Sequence, residues 1–167
     1  MKQGRVRYGL FLLLLSGCFL LEESANLAPD AVTRATQGYN EYEGEIGYLV
    51  DGLYPGNGST GEPFVWPGKG NLTFQFEQLR LIAGLRLYVG GDGGVYEVTA
   101  YQGAYLDEEG QIETSQARAV GDAANFELVE NAWVELGFEE PVEADFIELA
   151  TESGAIFYEV EILRPSD

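Results

Sequence analysis

Short runs of alternating apolar and polar residues recur through the second two thirds of the chain. Leu72, Phe74 and Phe76 alternate with Asn71, Thr73 and Gln75; Leu85, Leu87 and Val89 with Arg86 and Tyr88; Tyr96, Val98 and Ala100 with Glu97 and Thr99. Farther on, Val134, Leu136 and Phe138 alternate with Trp133 and Glu135, Ile147 and Leu149 bracket Glu148, and Ile156, Tyr158, Val160 and Ile162 alternate with Phe157, Glu159 and Glu161. A period of two with one apolar face predicts antiparallel strands covered on one side. Two such sheets face to face make a β-sandwich, so the predicted class is all-β. Gly90-Gly91-Asp92-Gly93-Gly94 predicts a tight turn between two of the strands, and Asp107-Glu108-Glu109-Gly110 an acidic turn. The glycine run lacks the following helix and the Lys-Ser/Thr of a phosphate-binding loop.

The start of the chain follows a different pattern. Lys2, Arg5 and Arg7 precede the apolar run Leu10 to Leu15, which ends in Leu15-Ser16-Gly17-Cys18. A basic segment, an apolar stretch and small residues before a cut are the parts of a secretory signal peptide, and Tyr8 to Leu21 is shorter than the roughly 20 residues that span a bilayer. The last four residues resemble the lipobox of bacterial lipoproteins. That resemblance implies cleavage after residue 17, a lipid on Cys18, and a location in the bacterial cell envelope, outside the cytoplasm on the outer membrane or cell surface. Residues 18–37 read as the lipidated cysteine and a flexible tether: Phe19-Leu20-Leu21 is apolar where lipoproteins usually turn polar, and from Glu22 to about Gln37 the residues are polar and small, with Pro29 and no apolar period. One domain is expected over 38–163, followed by a tail, 164–167.

Composition narrows the chemistry. The 167 residues allow one domain with a core, and the 22 glycines favour short strands and turns over a helical bundle. The net charge is −19, and removal of Lys2, Arg5 and Arg7 with the leader leaves 6 basic against 28 acidic residues, or −22. Such a field repels phosphate backbones and anionic lipid surfaces, so nucleic-acid binding is not expected and membrane contact must come from a lipid. There is no histidine and a single cysteine, which removes intramolecular disulfides, the usual zinc sites and His-dependent nucleophilic catalysis. Paired carboxylates are the one enzymatic chemistry left, and adjacent pairs such as Glu108-Glu109 and Glu139-Glu140 follow from composition alone.

The order of several segments resembles the discoidin, or coagulation factor 5/8 type C, domains. Tyr48-Leu49-Val50-Asp51-Gly52 is followed by an aromatic loop ending in Trp66. Then come Leu72-Thr73-Phe74-Gln75-Phe76, Leu85-Arg86-Leu87-Tyr88 and a closing Phe157-Tyr158-Glu159-Val160-Glu161-Ile162. The resemblance implies a galactose-binding-like jelly roll. It further implies a structural Ca2+ held by Asp51, Glu159 and loop carbonyls between Gly52 and Thr60, an oxygen-only set suited to that ion. It also implies ligand contact through loop residues at one end of the sandwich. Tyr54, Trp66, Tyr101 and Tyr105 are the candidates to stack on a sugar, and Asn57, Lys69 and Arg118 the candidates to hydrogen-bond it. For Trp66 a place in the core is the competing reading, and Trp133 either fills a second layer or is exposed. The expected function is a noncatalytic, surface-tethered module for a glycan or another extracellular polymer. An envelope protein–protein interaction or structural lipoprotein is the alternative.

Overall fold

In the computed structural model, residues 26–36, 42–91, 94–151 and 153–165 are described. The signal segment, Cys18 and the last two residues of the tail lie outside them. The described residues form nine strands: β1 (Val32–Thr36), β2 (Phe64–Trp66), β3 (Gly70–Val89), β4 (Tyr96–Gln102), β5 (Tyr105–Leu106), β6 (Ile112–Glu113), β7 (Arg118–Asn125), β8 (Ala132–Thr151) and β9 (Ala155–Leu163). All pairings between them are antiparallel. The fold is the expected antiparallel jelly-roll sandwich.

Two strands of 20 residues, β3 and β8, organise it. The first part of β3 pairs with β1 and with the last part of β8, which continues to β4 and β7. The second part of β3 pairs with the first part of β8 and with β9, which continues to β2. The long hairpin therefore belongs to both layers. Its passage between them is marked by register shifts at Gln75/Arg80 and Ile82/Gly84. Buried apolar side chains in β3 are even-numbered before the bulge (Leu72, Phe74, Phe76, Ile82) and odd-numbered after it (Leu85, Leu87, Val89). A bulge inserts one residue and flips every following side chain, so both halves of the strand face one core. The sequence reading had 72–76 and 85–89 as separate strands; the structure joins them through a polar bend. Gly84 (φ +152°) sits at that bend, where a Cβ would collide with the Leu136 carbonyl.

β9 contains a similar shift. Its alternation predicted Ile156, Tyr158, Val160 and Ile162 on the inner face. Instead Ala155 and Phe157 are in the core, and the parity changes to Val160 and Ile162 across the register shift opposite Tyr88/Val89. Phe157 thus faces inward where the period-two reading placed it outward, whereas Glu159, paired with Tyr88, stays on the outer face and is buried there beneath the loop that carries Gly52.

Two further expectations are corrected. The glycine run after β3 does not close a hairpin, because β3 and β4 are not paired and the connection crosses from one layer to the other; Asp92 and Gly93 within it lie outside the described residues. The crossing is tied down by Gly90 N donating to Ile156 O (2.8 Å) and Asn131 N to Gly90 O (3.0 Å). The segment read as tether is also folded from residue 26. Leu27 and Ala28 are buried, Leu27 N donates to Ile162 O at 2.8 Å, and β1 adds a strand to β3. A short strand of small and polar residues carries almost no periodic signal, and its stability comes from its partner strand.

Candidate functional site

Three places concentrate polar or aromatic chemistry, and the strand register explains each. On the outer face of the β1–β3–β8–β4–β7 layer, outward positions of β3, β8 and β4 bring Asn71, Glu148 and Tyr101 together. The β5–β6 hairpin closes one side with Gln111, Ile112 and Thr114, giving a groove of about 300 Å³. Asn71 Nδ2 donates to Glu148 Oε1 at 2.6 Å, and Tyr101 Oη lies 3.5 Å from Glu148 Oε2. Burial raises the Glu148 carboxyl above the ordinary carboxylate range, against a smaller opposing effect of the Tyr101 hydroxyl. Burial and the neighbouring Glu148 charge raise the Tyr101 phenol in turn. The hairpin is held by its acidic turn, where Asp107 Oδ1 accepts from Glu109 N and Gln111 N. Beside this groove a shallower hollow of about 410 Å³ is lined by Gln102, Arg118, Val142 and Glu143 among others. There Arg118 Nη2 donates to Gln102 Oε1 at 2.7 Å.

On the outer face of the other layer, Tyr88 and Trp133 stand opposite each other on β3 and β8. The 51–63 loop lays Tyr54 on both, with ring centroids 4.9 Å apart in each case. Arg86 covers Trp133 at 4.4 Å and pairs with Glu161 at 2.5 Å. Trp133 is therefore half-buried between a loop tyrosine and an arginine, an arrangement that pins the loop to the sheet. Such ring contacts contribute about 0.5–1.5 kcal/mol each.

The third place is the end of the same loop. Glu159 is 1% exposed, and its Oε2 accepts from Gly52 N at 2.8 Å. Burial pushes its carboxyl up to about 7, with the nearby Asp51 charge adding to the rise and the Gly52 hydrogen bond opposing it. Asp51 is exposed, and its Oδ1 accepts from Leu53 N. The structure thus brings the two sequence-predicted cation ligands to one loop. Among the described residues no cluster of three or more His, Cys, Asp or Glu side chains is placed to hold a metal. A cation here would depend on backbone carbonyls such as that of Gly52, which accepts from Asn57 Nδ2 at 2.6 Å.

The remaining candidates are dispersed. Tyr101 lines the groove, Tyr105 is exposed in the hairpin that walls it, and Arg118 lines the neighbouring hollow. Tyr54 and Asn57 belong to the 51–63 loop, Asn57 as a turn residue whose Oδ1 accepts from Ser59 N. Lys69 is exposed on the β2–β3 connection. Trp66 is corrected as a ligand contact: it is 1% exposed, packed edge-on against Phe64 with Tyr42 nearby. Groove residues that the sequence reading did not single out are Asn71, Gln111, Thr114 and Glu148. The available signal was that Asn71 and Glu148 occupy polar positions inside alternating runs.

No protein-family model matches this sequence, and no curated protein is similar to it. Solved structures are similar in fold. The CBM32-6 module of CpGH89 produced by Clostridium perfringens superposes with a TM-score of 0.57 at 14% identity, covering 84% of this chain and 99% of that one. Chitosan-binding module 1 of a chitosanase/glucanase from Paenibacillus sp. IK-5 gives 0.57 at 12%, covering 82% and 97%. The CBM32 of AlyQ in complex with 4,5-unsaturated mannuronic acid gives 0.54 at 11%, covering 80% and 95%. The domain has the galactose-binding-like fold of these carbohydrate-binding modules.

Proposed function

We propose that the domain is a noncatalytic carbohydrate-binding module, with the groove at Tyr101, Asn71 and Glu148 as its sugar-facing surface. The observation that carries this reading is the convergence of an aromatic ring, two amides, a hydroxyl and a carboxylate in one open groove on the sheet. A sugar presents hydroxyls that need donors and acceptors, and C–H faces that need a ring. The named ligands of the neighbours range from chitosan to an unsaturated uronic acid, so the fold leaves the ligand's charge open. In this reading a lipid on Cys18 tethers the module outside the cytoplasm on the cell envelope. Asp51, Glu159 and turn carbonyls hold a structural Ca2+. The donor set fits that ion, since Glu159 is a buried carboxylate whose charge a divalent cation would balance. A second reading, docking of an envelope protein, is favoured by Phe126 and Leu128, which are 69% and 75% exposed on the β7–β8 connection.

Isothermal titration against a panel of soluble oligosaccharides tests the proposal. Tyr101→Ala and Asn71→Ala each weaken the bound saccharide about tenfold or more. Binding that survives both substitutions at full strength refutes the groove as the site.

A further inference from the structure

We infer that the groove selects glycans that carry amino groups, with Glu148 as the residue that receives the ammonium. This deepens the carbohydrate-binding reading and rests on it. Glu148 has two neutral partners, the Asn71 amide and the more distant Tyr101 hydroxyl. Among the described residues no Lys or Arg is paired with it; the Arg86–Glu161 pair lies on the other layer. A carboxylate partly withdrawn from water without a positive partner is unfavourable. A neutral sugar would be served equally by an amide at this position, whereas an entering ammonium repays the desolvation with a charge-assisted hydrogen bond.

The surrounding charge points the same way. Registered pairing places Arg34, Thr73, Glu148, Thr99 and Asp122 in one row across the outer face. Arg34, the basic member, stands two strands away from Glu148, with Thr73 between them. Glu97 shares the face two pairs along the β4–β8 ladder, Glu113 is in the hairpin that walls the groove, and the chain as a whole carries −19. Such a field draws a polyamine glycan toward the face and repels a polyuronate. Around the ammonium, Asn71, Gln111 and Thr114 remain in the lining to meet sugar hydroxyls.

The experiment uses three probes by isothermal titration: a β-1,4-linked glucosamine hexamer, its fully N-acetylated counterpart, and a galacturonate hexamer. The glucosamine hexamer is expected to bind at least tenfold tighter than the acetylated one, and the galacturonate hexamer not at all. Loss of a hydrogen bond to a charged group costs about 10- to 100-fold, so Glu148→Gln brings the first two probes within about threefold of each other. Thr114→Lys, at an exposed position on the groove wall, removes glucosamine binding. Tight binding of the acetylated hexamer that depends on Tyr101 overturns the inference and leaves the carbohydrate-binding reading standing. No binding of any saccharide overturns both. A glucosamine preference that persists in Glu148→Gln at an unchanged unfolding midpoint overturns Glu148 as the receiving group. Should Glu148→Gln fail to fold, full preference in Thr114→Lys overturns the inference equally.

Discussion

The buried carboxylate of Glu159 makes stability depend on pH in a direction opposite to that of most carboxylates. Its value moves from the ordinary 4.5 to about 7 because burial disfavours the charge. With no cation bound, the native state prefers the protonated acid. The associated stabilisation is complete below about pH 4.5 and is lost as pH rises through 7. The displacement corresponds to about 3 kcal/mol between the two limits. Glu159→Gln retains an oxygen for Gly52 N and carries no charge at any pH. In chelator at pH 8 the variant is therefore expected to be more stable than the parent by up to about 3 kcal/mol, or roughly 10 °C in midpoint for a domain of this size. At pH 4 the two should coincide. The difference between parent and variant, measured by thermal unfolding at both pH values, isolates this group from the other carboxylates. Calcium at pH 8 should raise the parent's midpoint and leave the variant's unchanged. A parent as stable as Glu159→Gln at pH 8 in chelator would refute the argument from burial.

Other substitutions probe the packing and the surface. Gly70→Ala places a Cβ inside the Trp66 indole and should cost at least about 3 kcal/mol in urea denaturation, whereas Gly91→Ala, with open space around it, should cost under about 1 kcal/mol. Removing residues 26–36 exposes the sites filled by Leu27 and Ala28 and unpairs the edge of β3; a fragment starting at residue 38 should lose about 3 kcal/mol or more against one starting at residue 22. Arg86→Ala uncovers Trp133, visible as a change in its fluorescence, at a stability cost of about 1 kcal/mol. Phe126→Ser combined with Leu128→Ser should leave saccharide affinity unchanged and stability within about 0.5 kcal/mol, since both side chains are exposed.

The all-β class was legible because Leu72 to Phe76, Leu85 to Val89 and Tyr96 to Ala100 each keep one apolar face. What escaped has physical causes. Period-two reasoning assumes a constant phase, and β3 and β9 each change phase at a bulge, so Phe157 was assigned to the wrong face, while Glu159 is on the predicted outer face but covered by a loop. β7 is built largely from Ala, Gly, Asp and Asn, and β1 from Thr, Ala, Arg and Val; neither has a strong apolar rhythm, and both are held by a neighbouring strand. Asp51 and Glu159 were placed by family resemblance, and the structure brings them to one loop although 107 positions separate Glu159 from its Gly52 hydrogen-bond donor. The groove was legible only at Tyr101. Asn71 and Glu148, 77 positions apart, meet through strand register, which no local pattern encodes.

The ordered start of the fold also sets how far the domain can stand from a bilayer. With Leu27 hydrogen-bonded to Ile162 of the last strand, the fold already includes residue 26 and does not wait until 38. A lipid on Cys18 would then leave eight peptide steps of leash, at most about 28 Å at full extension, where a leash running to residue 38 would allow about 70 Å. A module so tethered would work at the surface that anchors it. A polymer bound by such a module would have to come within about that distance of the surface.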